Sequence, residues 1–210
     1  MANTDWAFGF MPWQNVLRAQ LYSVVTAPTI NVMLGDMVRS GALWTTTPHG
    51  YYLSIEDSAV PDGKRNLIGA VLACFDEDMN PVKYIAALEA GNAVIAGYIL
   101  VADHPHQLFV AREDFGGNAI DLAEGGHVAD LVSVAICAGN TKTGRSRQMI
   151  DSDTQATASK QLQLLYPHPN DSALVADDTP GDTADEGCRY IVQINEHLYS
   201  GEVAIVRDVE

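Results

Sequence analysis

Cysteine is scarce in this 210-residue chain. The three, Cys74, Cys137 and Cys188, are far apart and odd in number. No C-x-x-C or Cys/His spacing occurs, so neither a disulfide framework nor a zinc site is supported. Cys74 and Cys137 each end an apolar run and read as small buried hydrophobes. Positive charge is also thin. Twelve Lys and Arg stand against 27 Asp and Glu, a formal net charge of -15. That argues against a nucleic-acid footprint and against an anionic membrane surface. An acidic exterior suits solubility or docking on a basic surface. No apolar run approaches the roughly 18 residues of a membrane span. The first basic residue is Arg18, so no cationic segment precedes an apolar core. The expectation is a chain without a signal peptide, made and folded in a reducing cytoplasm. Sustained helical periodicity and internal repeats are likewise missing.

What is present is an apolar content of 47% with 19% charged residues, the profile of a folded globular chain. Short apolar runs rich in β-formers recur between Gly, Pro, Asn and Asp turns. Segments reading as strands are 31–38, 51–55, 67–75, 98–102, 108–111, 128–137, 147–150, 160–166, 189–195 and 201–206. In Lys160–Tyr166, Leu162 and Leu164 alternate with Gln161 and Gln163, the mark of a sheet with one wet face. Two stretches admit short helices: Asn15–Val25, weakened by Val24, Val25 and Thr26, and Tyr84–Ala93, with Gly91-Asn92 as a C-cap. The pattern predicts an all-β chain, a β-sandwich or barrel-like domain with an extended N-terminal arm and at most one or two short helices.

Two regions divide the chain in this reading. Residues 1–30 form an aromatic arm, with Trp6, Phe8, Phe10 and Trp13 crowded around Gly9 and Pro12. Residues 31–210 form the β-rich domain. The arm either folds over its own core or anchors on a neighbouring subunit, because aromatics lead interface hot spots. Residues 167–187 carry six acidic residues and no basic one. They read as a long acidic loop, either a solvated excursion or a contact for a basic partner surface. The stretch Gly97–Gly117 reads as a hairpin: strand 98–102, a turn at Asp103-His104-Pro105-His106, strand 108–111, and an exit at Phe115-Gly116-Gly117.

Motifs with chemical content are weak. Gly139-Asn-Thr-Lys-Thr-Gly144-Arg145-Ser146 nearly matches the phosphate-cradling loop G-x-x-x-x-G-K-[ST]. Arg145 replaces the lysine, and the polar Asp151-Ser-Asp153-Thr that follows has no helical apolar face. A strand-to-strand loop is the better reading. His104 and His106 lack a third ligand at any metal-like spacing. Asp76-Glu77-Asp78-Met79-Asn80 begins like a calcium loop, but Pro81 stands where the turn needs Gly. Asp151-Ser-Asp153 fails the same test. His127, His168 and His197 are isolated, and no G-x-S-x-G elbow occurs. No catalytic residue, cofactor or metal ligand is predicted.

One family resemblance runs through the second half. Asp103 to Pro105, Phe109 through Glu113-Asp114 and Gly116-Gly117 are similar to a block in small structural proteins of tailed-bacteriophage heads. It continues through Val128-Ala129-Asp130-Leu131-Val132, Thr141 to Gly144 with Ser146, Asp151-Ser152, Gln161-Leu162-Gln163-Leu164, and Val192 to Asn195 with His197. Gly9-Phe10 to Pro12 and Gly35-Asp36 resemble its N-terminal half. Some members resemble decoration (cement) proteins of the outer shell, commonly homotrimers or other oligomers. The resemblance implies a non-catalytic virion protein on the capsid exterior, assembled in the host cytoplasm, whose partner is the major capsid protein. Trp6, Phe8, Phe10 and Trp13 are then the expected capsid-binding residues. His104 and His106 depart from the acidic or small polar residues usual in the family, and the acidic loop is longer than usual. A tail-associated or receptor-binding β module is the alternative, and a nucleotide- or metal-dependent enzyme is a third.

Overall fold

The computed structural model describes residues 8–25, 31–47, 50–57, 67–87, 95–114, 120, 128–132, 139–156, 160–171, 188–195 and 197–199. Within them the fold is all-β, without a helix. The strands are β1 (Met11–Pro12), β2 (Ala19–Val25), β3 (Val32–Met33), β4 (Met37–Thr47), β5 (Gly50–Asp57), β6 (Leu67–Phe75) and β7 (Pro81–Val82). They continue as β8 (Tyr84–Ile85), β9 (Ile95–Ala102), β10 (Leu108–Arg112), β11 (Val128–Leu131), β12 (Ile150–Ala156), β13 (Leu162–Pro167) and β14 (Arg189–Ile194).

Two sheets are built from them. One is open, in the order β1-β10-β14-β13-β11-β12. The other runs β4-β5-β2-β9-β6-β7, and β4 also pairs with β6. That extra pairing, Met37 with Ala70 and Val38 with Gly69, closes five strands into a ring. β2 and β5 run parallel; the other ring pairs are antiparallel. β3 and β8 form a separate short ribbon.

The burial pattern explains the strand sequences. β6 and β9 are apolar at nearly every position because both faces are covered. Ile68, Val71, Cys74, Ile99 and Val101 join Tyr22, Val24 and Val38 in one apolar cluster. Leu67, Ala70, Ala102 and Met37 point the other way. They pack with Phe109, Ala111, Leu131, Ile150, Leu162, Tyr190 and Val192 from the open sheet. β13 alternates buried and exposed positions at Leu162, Gln163 and Leu164, as its sequence predicts.

The predicted arm is not a separate region over its described part. β1 pairs with β10 in the open sheet, and β2 sits between β5 and β9 in the ring. Where a helical turn was expected in 15–25, Ala19–Val25 is a strand; its β-branched Val24 and Val25 fit a buried pleat better than a helix. The expected helix at 84–93 is also corrected. Tyr84–Ile85 pairs with Val32–Met33, Ala86 and Ala87 are irregular, and 88–94 lie outside the described residues. The expected hairpin at 97–117 is a crossover instead. β9 belongs to the ring and β10 to the open sheet, so the turn between them carries the chain from one layer to the other.

A glycine joint locks the two layers together. Gly9 (φ 72°) and Gly35 (φ 88°) both adopt left-handed backbone. Phe10 N–H donates to Gly35 O at 2.8 Å, and Gly35 N–H donates to Val71 O at 2.9 Å. Leu34 N–H donates to Gly144 O, and Ser146 N–H donates back to Leu34 O. A Cβ on Gly35 would lie 2.8 Å from Phe8 O, so the approach requires glycine.

Candidate functional site

A buried polar cluster lies at the crossover. Asp103 follows β9 directly and is fully buried. Arg18 Nε donates to Asp103 Oδ1 at 2.8 Å, and Arg18 Nη2 donates to Asp103 O at 2.9 Å. The Tyr22 hydroxyl donates to Asp103 Oδ2 at 2.6 Å. The Arg18 guanidinium lies 5.3 Å from the ring centroid of Tyr199, within cation–π range. Burial and the Asp103 hydrogen bond push the Tyr22 phenol well above its ordinary value, so Tyr22 is a donor here and not a base. The other end of the loop is tied the same way. Gln107 Oε1 accepts Leu17 N–H at 2.8 Å, and Gln107 Nε2 donates to Asn15 O at 3.3 Å. Asp103 and Gln107 thus hold segment 15–18 against the crossover.

The remaining buried carboxylates are engaged with the backbone or with a cation. Asp36 Oδ2 accepts Met33 N–H. Glu113 accepts Cys188 N–H at 3.0 Å and Ile120 N–H at 3.2 Å. Asp130 accepts Lys160 Nζ at 2.8 Å and Gln161 N–H at 3.2 Å. Burial, then Asp114, push the partly buried Asp151 carboxyl up. Burial also raises the Cys74 thiol to about 12, leaving it protonated and unreactive.

The sequence candidates fall out as follows. Trp6 lies outside the described residues. Phe8 is half-buried, and Phe10 is 1% exposed within the cluster shared by both layers. Phe10 as a capsid-binding residue is therefore corrected: hydrophobic burial places its ring in the seam, out of a partner's reach. Trp13 is partly buried, and its indole meets the His168 ring edge-on at 5.0 Å. Sequence reasoning missed Met11, Val16 and Leu17, which are 43%, 44% and 57% exposed. Their signal was available: aliphatic residues flanking Pro12 and Asn15 without helical spacing.

The other motifs also resolve. His104 and His106 rings stand 5.8 Å apart. His104 Nδ1 accepts His106 N–H, which puts the neutral ring's proton on Nε2 and leaves neither nitrogen with a free lone pair for a metal. Among the described residues no group of three or more His, Cys, Asp or Glu is placed to hold a metal ion. Asp76 Oδ1 accepts Asp78 and Asn80 N–H, so its carboxylate closes its own turn and lies well below its ordinary range. In Gly139–Ser146, Asn140 N–H donates to Arg145 O and Asn140 O accepts Gly144 N–H. That is a tight turn leading to β12, not to a helix. Asp171, at the start of the acidic loop, turns inward and accepts Arg189 at 2.7 and 2.8 Å. Residues 172–187 lie outside the described residues.

What the described residues offer is a stapled crossover and a short exposed apolar segment beside it. Comparison with protein-family models, with curated proteins and with solved structures returned no match.

Proposed function

We propose that this chain is a non-catalytic virion protein that binds the outside of a tailed-phage capsid as a decoration or cement subunit. One observation carries the reading. Met11, Val16 and Leu17 expose aliphatic surface on one N-terminal segment whose backbone is pinned at Trp13 N–H to Leu108 O and Leu17 N–H to Gln107. A rigid, pre-ordered apolar ledge loses little conformational entropy on docking. A subunit that binds only the assembled lattice stabilises it by mass action, and a trimer multiplies weak contacts into avidity.

The contact residues proposed are Met11, Val16 and Leu17, with Trp13 behind them. Deleting residues 1–14 is a poor test, because it removes Phe10 from the core. The better one is Val16→Asp with Leu17→Asp, assayed by cosedimentation with bare phage heads and with tails. Loss of head binding at unchanged unfolding midpoint is the expected result. Unchanged head occupancy sinks the ledge as the attachment site. Binding to tails alone, by the unsubstituted chain, replaces the capsid reading with the tail-associated one.

A further inference from the structure

Three histidines share one local geometry. His104 Nδ1 accepts His106 N–H at 3.1 Å, His168 Nδ1 accepts Asn170 N–H at 3.2 Å, and His197 Nδ1 accepts Tyr199 N–H at 2.9 Å. In each the imidazole closes a turn onto the amide two residues ahead, as an Asn or Asp side chain does. An imidazole accepts at Nδ1 only while neutral. Protonation turns Nδ1 into a donor, and two donors then face each other.

His197 is the most deeply placed of the three, 1% exposed against 7% for His168, while His104 is half-buried. Its turn lies on the ring: Leu198 N–H donates to Leu67 O at 2.8 Å, at the first residue of β6. The imidazole Nε2 is buried without a well-formed hydrogen bond, and the Ile68 backbone is the polar group nearest to serve the ring as acceptor. Tyr199, the closing residue, is also held by Arg18 above its ring and by the Tyr22 hydroxyl at 3.4 Å.

We infer that His197 is an acid-operated latch. While neutral it closes the 197–199 turn onto the start of β6, and when protonated it releases that turn from the ring and from Arg18. The groups around it are the Ile68 backbone from β6, Arg18 and Tyr22 from the N-terminal segment and β2, Asp103 and His104 from the crossover, and Tyr199 from its own turn. The Ile68 backbone and then Asp103 favour the charged imidazole; Arg18 and His104 oppose it. Burial is the largest influence and holds the closed imidazole down at about 4, against an ordinary 6.5. The closed turn therefore takes a proton only below about pH 4, whereas the released one takes it near 6.5. Closure is fully favoured above 6.5, weakens as pH falls from 6.5 to 4, and loses nothing further below that. At ten-fold per pH unit the whole window amounts to roughly 300-fold.

The test uses the full chain. Amide hydrogen exchange is followed at Leu198 and Tyr199, with Val192 and Ile99 as references in the two layers, between pH 7 and 4. Protection at Leu198 and Tyr199 is expected to fall up to about 300-fold relative to the references. His197→Asn keeps an acceptor for the Tyr199 amide but does not titrate, and should flatten the profile. Equal protection loss at all four amides, or a profile unchanged by His197→Asn, overturns the latch. If that variant fails to fold, the His197 ring resonances of the unsubstituted protein decide. A midpoint near 4 supports the latch, and one at 6 or above overturns it.

Discussion

The ring and the open sheet solve the same problem differently. The five ring strands satisfy their backbone by closing on one another, so β4 has a partner on both sides. The open sheet ends at β1 and β12 and protects those ends with side chains and loops. At β12 the Asp114 carboxylate accepts Ser152 N–H and its hydroxyl, and Asp114 N–H donates to Ile150 O. At β1 the strand is two residues long, which leaves little edge for another chain to copy. Of the four carboxylates buried among the described residues, Glu113 and Asp130 lie in or beside the open sheet. The other two, Asp36 and Asp103, adjoin ring strands β4 and β9, so closure settles the backbone pairing of the strands while buried carboxylates tie down the connections in both layers.

Four substitutions sharpen or break that contrast. Phe10→Ala has the largest effect, about 3–5 kcal/mol, because it opens a cavity in the seam both layers share. Urea unfolding monitored at Ile99 and Val192 amides should show both layers losing stability together; a drop confined to one would mean the seam does not couple them. Glu113→Ala should cost about 3 kcal/mol by leaving the Cys188 and Ile120 amides without their acceptor in a buried site. The same urea midpoint reads it, and a loss under about 1 kcal/mol would remove the carboxylate as a staple of the open sheet.

Gly35→Ala should cost about 2 kcal/mol, since alanine must adopt a positive φ against the Phe8 carbonyl. Thermal unfolding checks it; no change in midpoint would show that the joint can shift without strain. The smallest effect belongs to Arg189→Met, under about 1 kcal/mol, because the pair is partly exposed and screened. Its pH signature is more informative. The hydrogen bond from Arg189 holds the Asp171 carboxyl below its ordinary value. The folded state therefore releases that proton more readily than the unfolded one. The stabilisation is present above the ordinary carboxylate range and is lost as pH falls through the lowered value. Unfolding titrations of the two proteins should converge at low pH, and parallel curves would dismiss the pair.

Much of this architecture was legible in the residues. Leu67–Phe75 matches β6 residue for residue, and the alternation at Leu162–Leu164 marks the face of β13 that packs inward. The loop at 139–146 was readable because Arg145 and the polar stretch after it contradict a phosphate site. The hairpin at 97–117 was misread for a physical reason. A turn at Asp103–His106 says that the ladder stops, but not which strand the next one joins. That depends on β1 and β14, far away in sequence. The Asp103 staple was hidden the same way, since Arg18 lies 85 residues earlier. Phe10 looked like an anchor because its neighbours are aromatic. The positive φ at Gly9 and the partner at Gly35 turn it inward, and neither is visible in composition.

The crossover has a consequence for the order in which the chain acquires structure. Every strand of the ring lies between residues 19 and 102, so the ring is complete in sequence before the chain crosses over. The open sheet draws β1 from residue 11 and β14 from residues 189–194, and β14 separates β10 from β13. On a ribosome the N-terminal segment must therefore wait for β14, more than 170 residues later, before the open sheet that covers Phe10 can close. Pulsed hydrogen-exchange labelling should find Ile99 protected before Val192. The ring would then serve as a template laid down early, and the open sheet as a slow, non-local step that sets the folding rate.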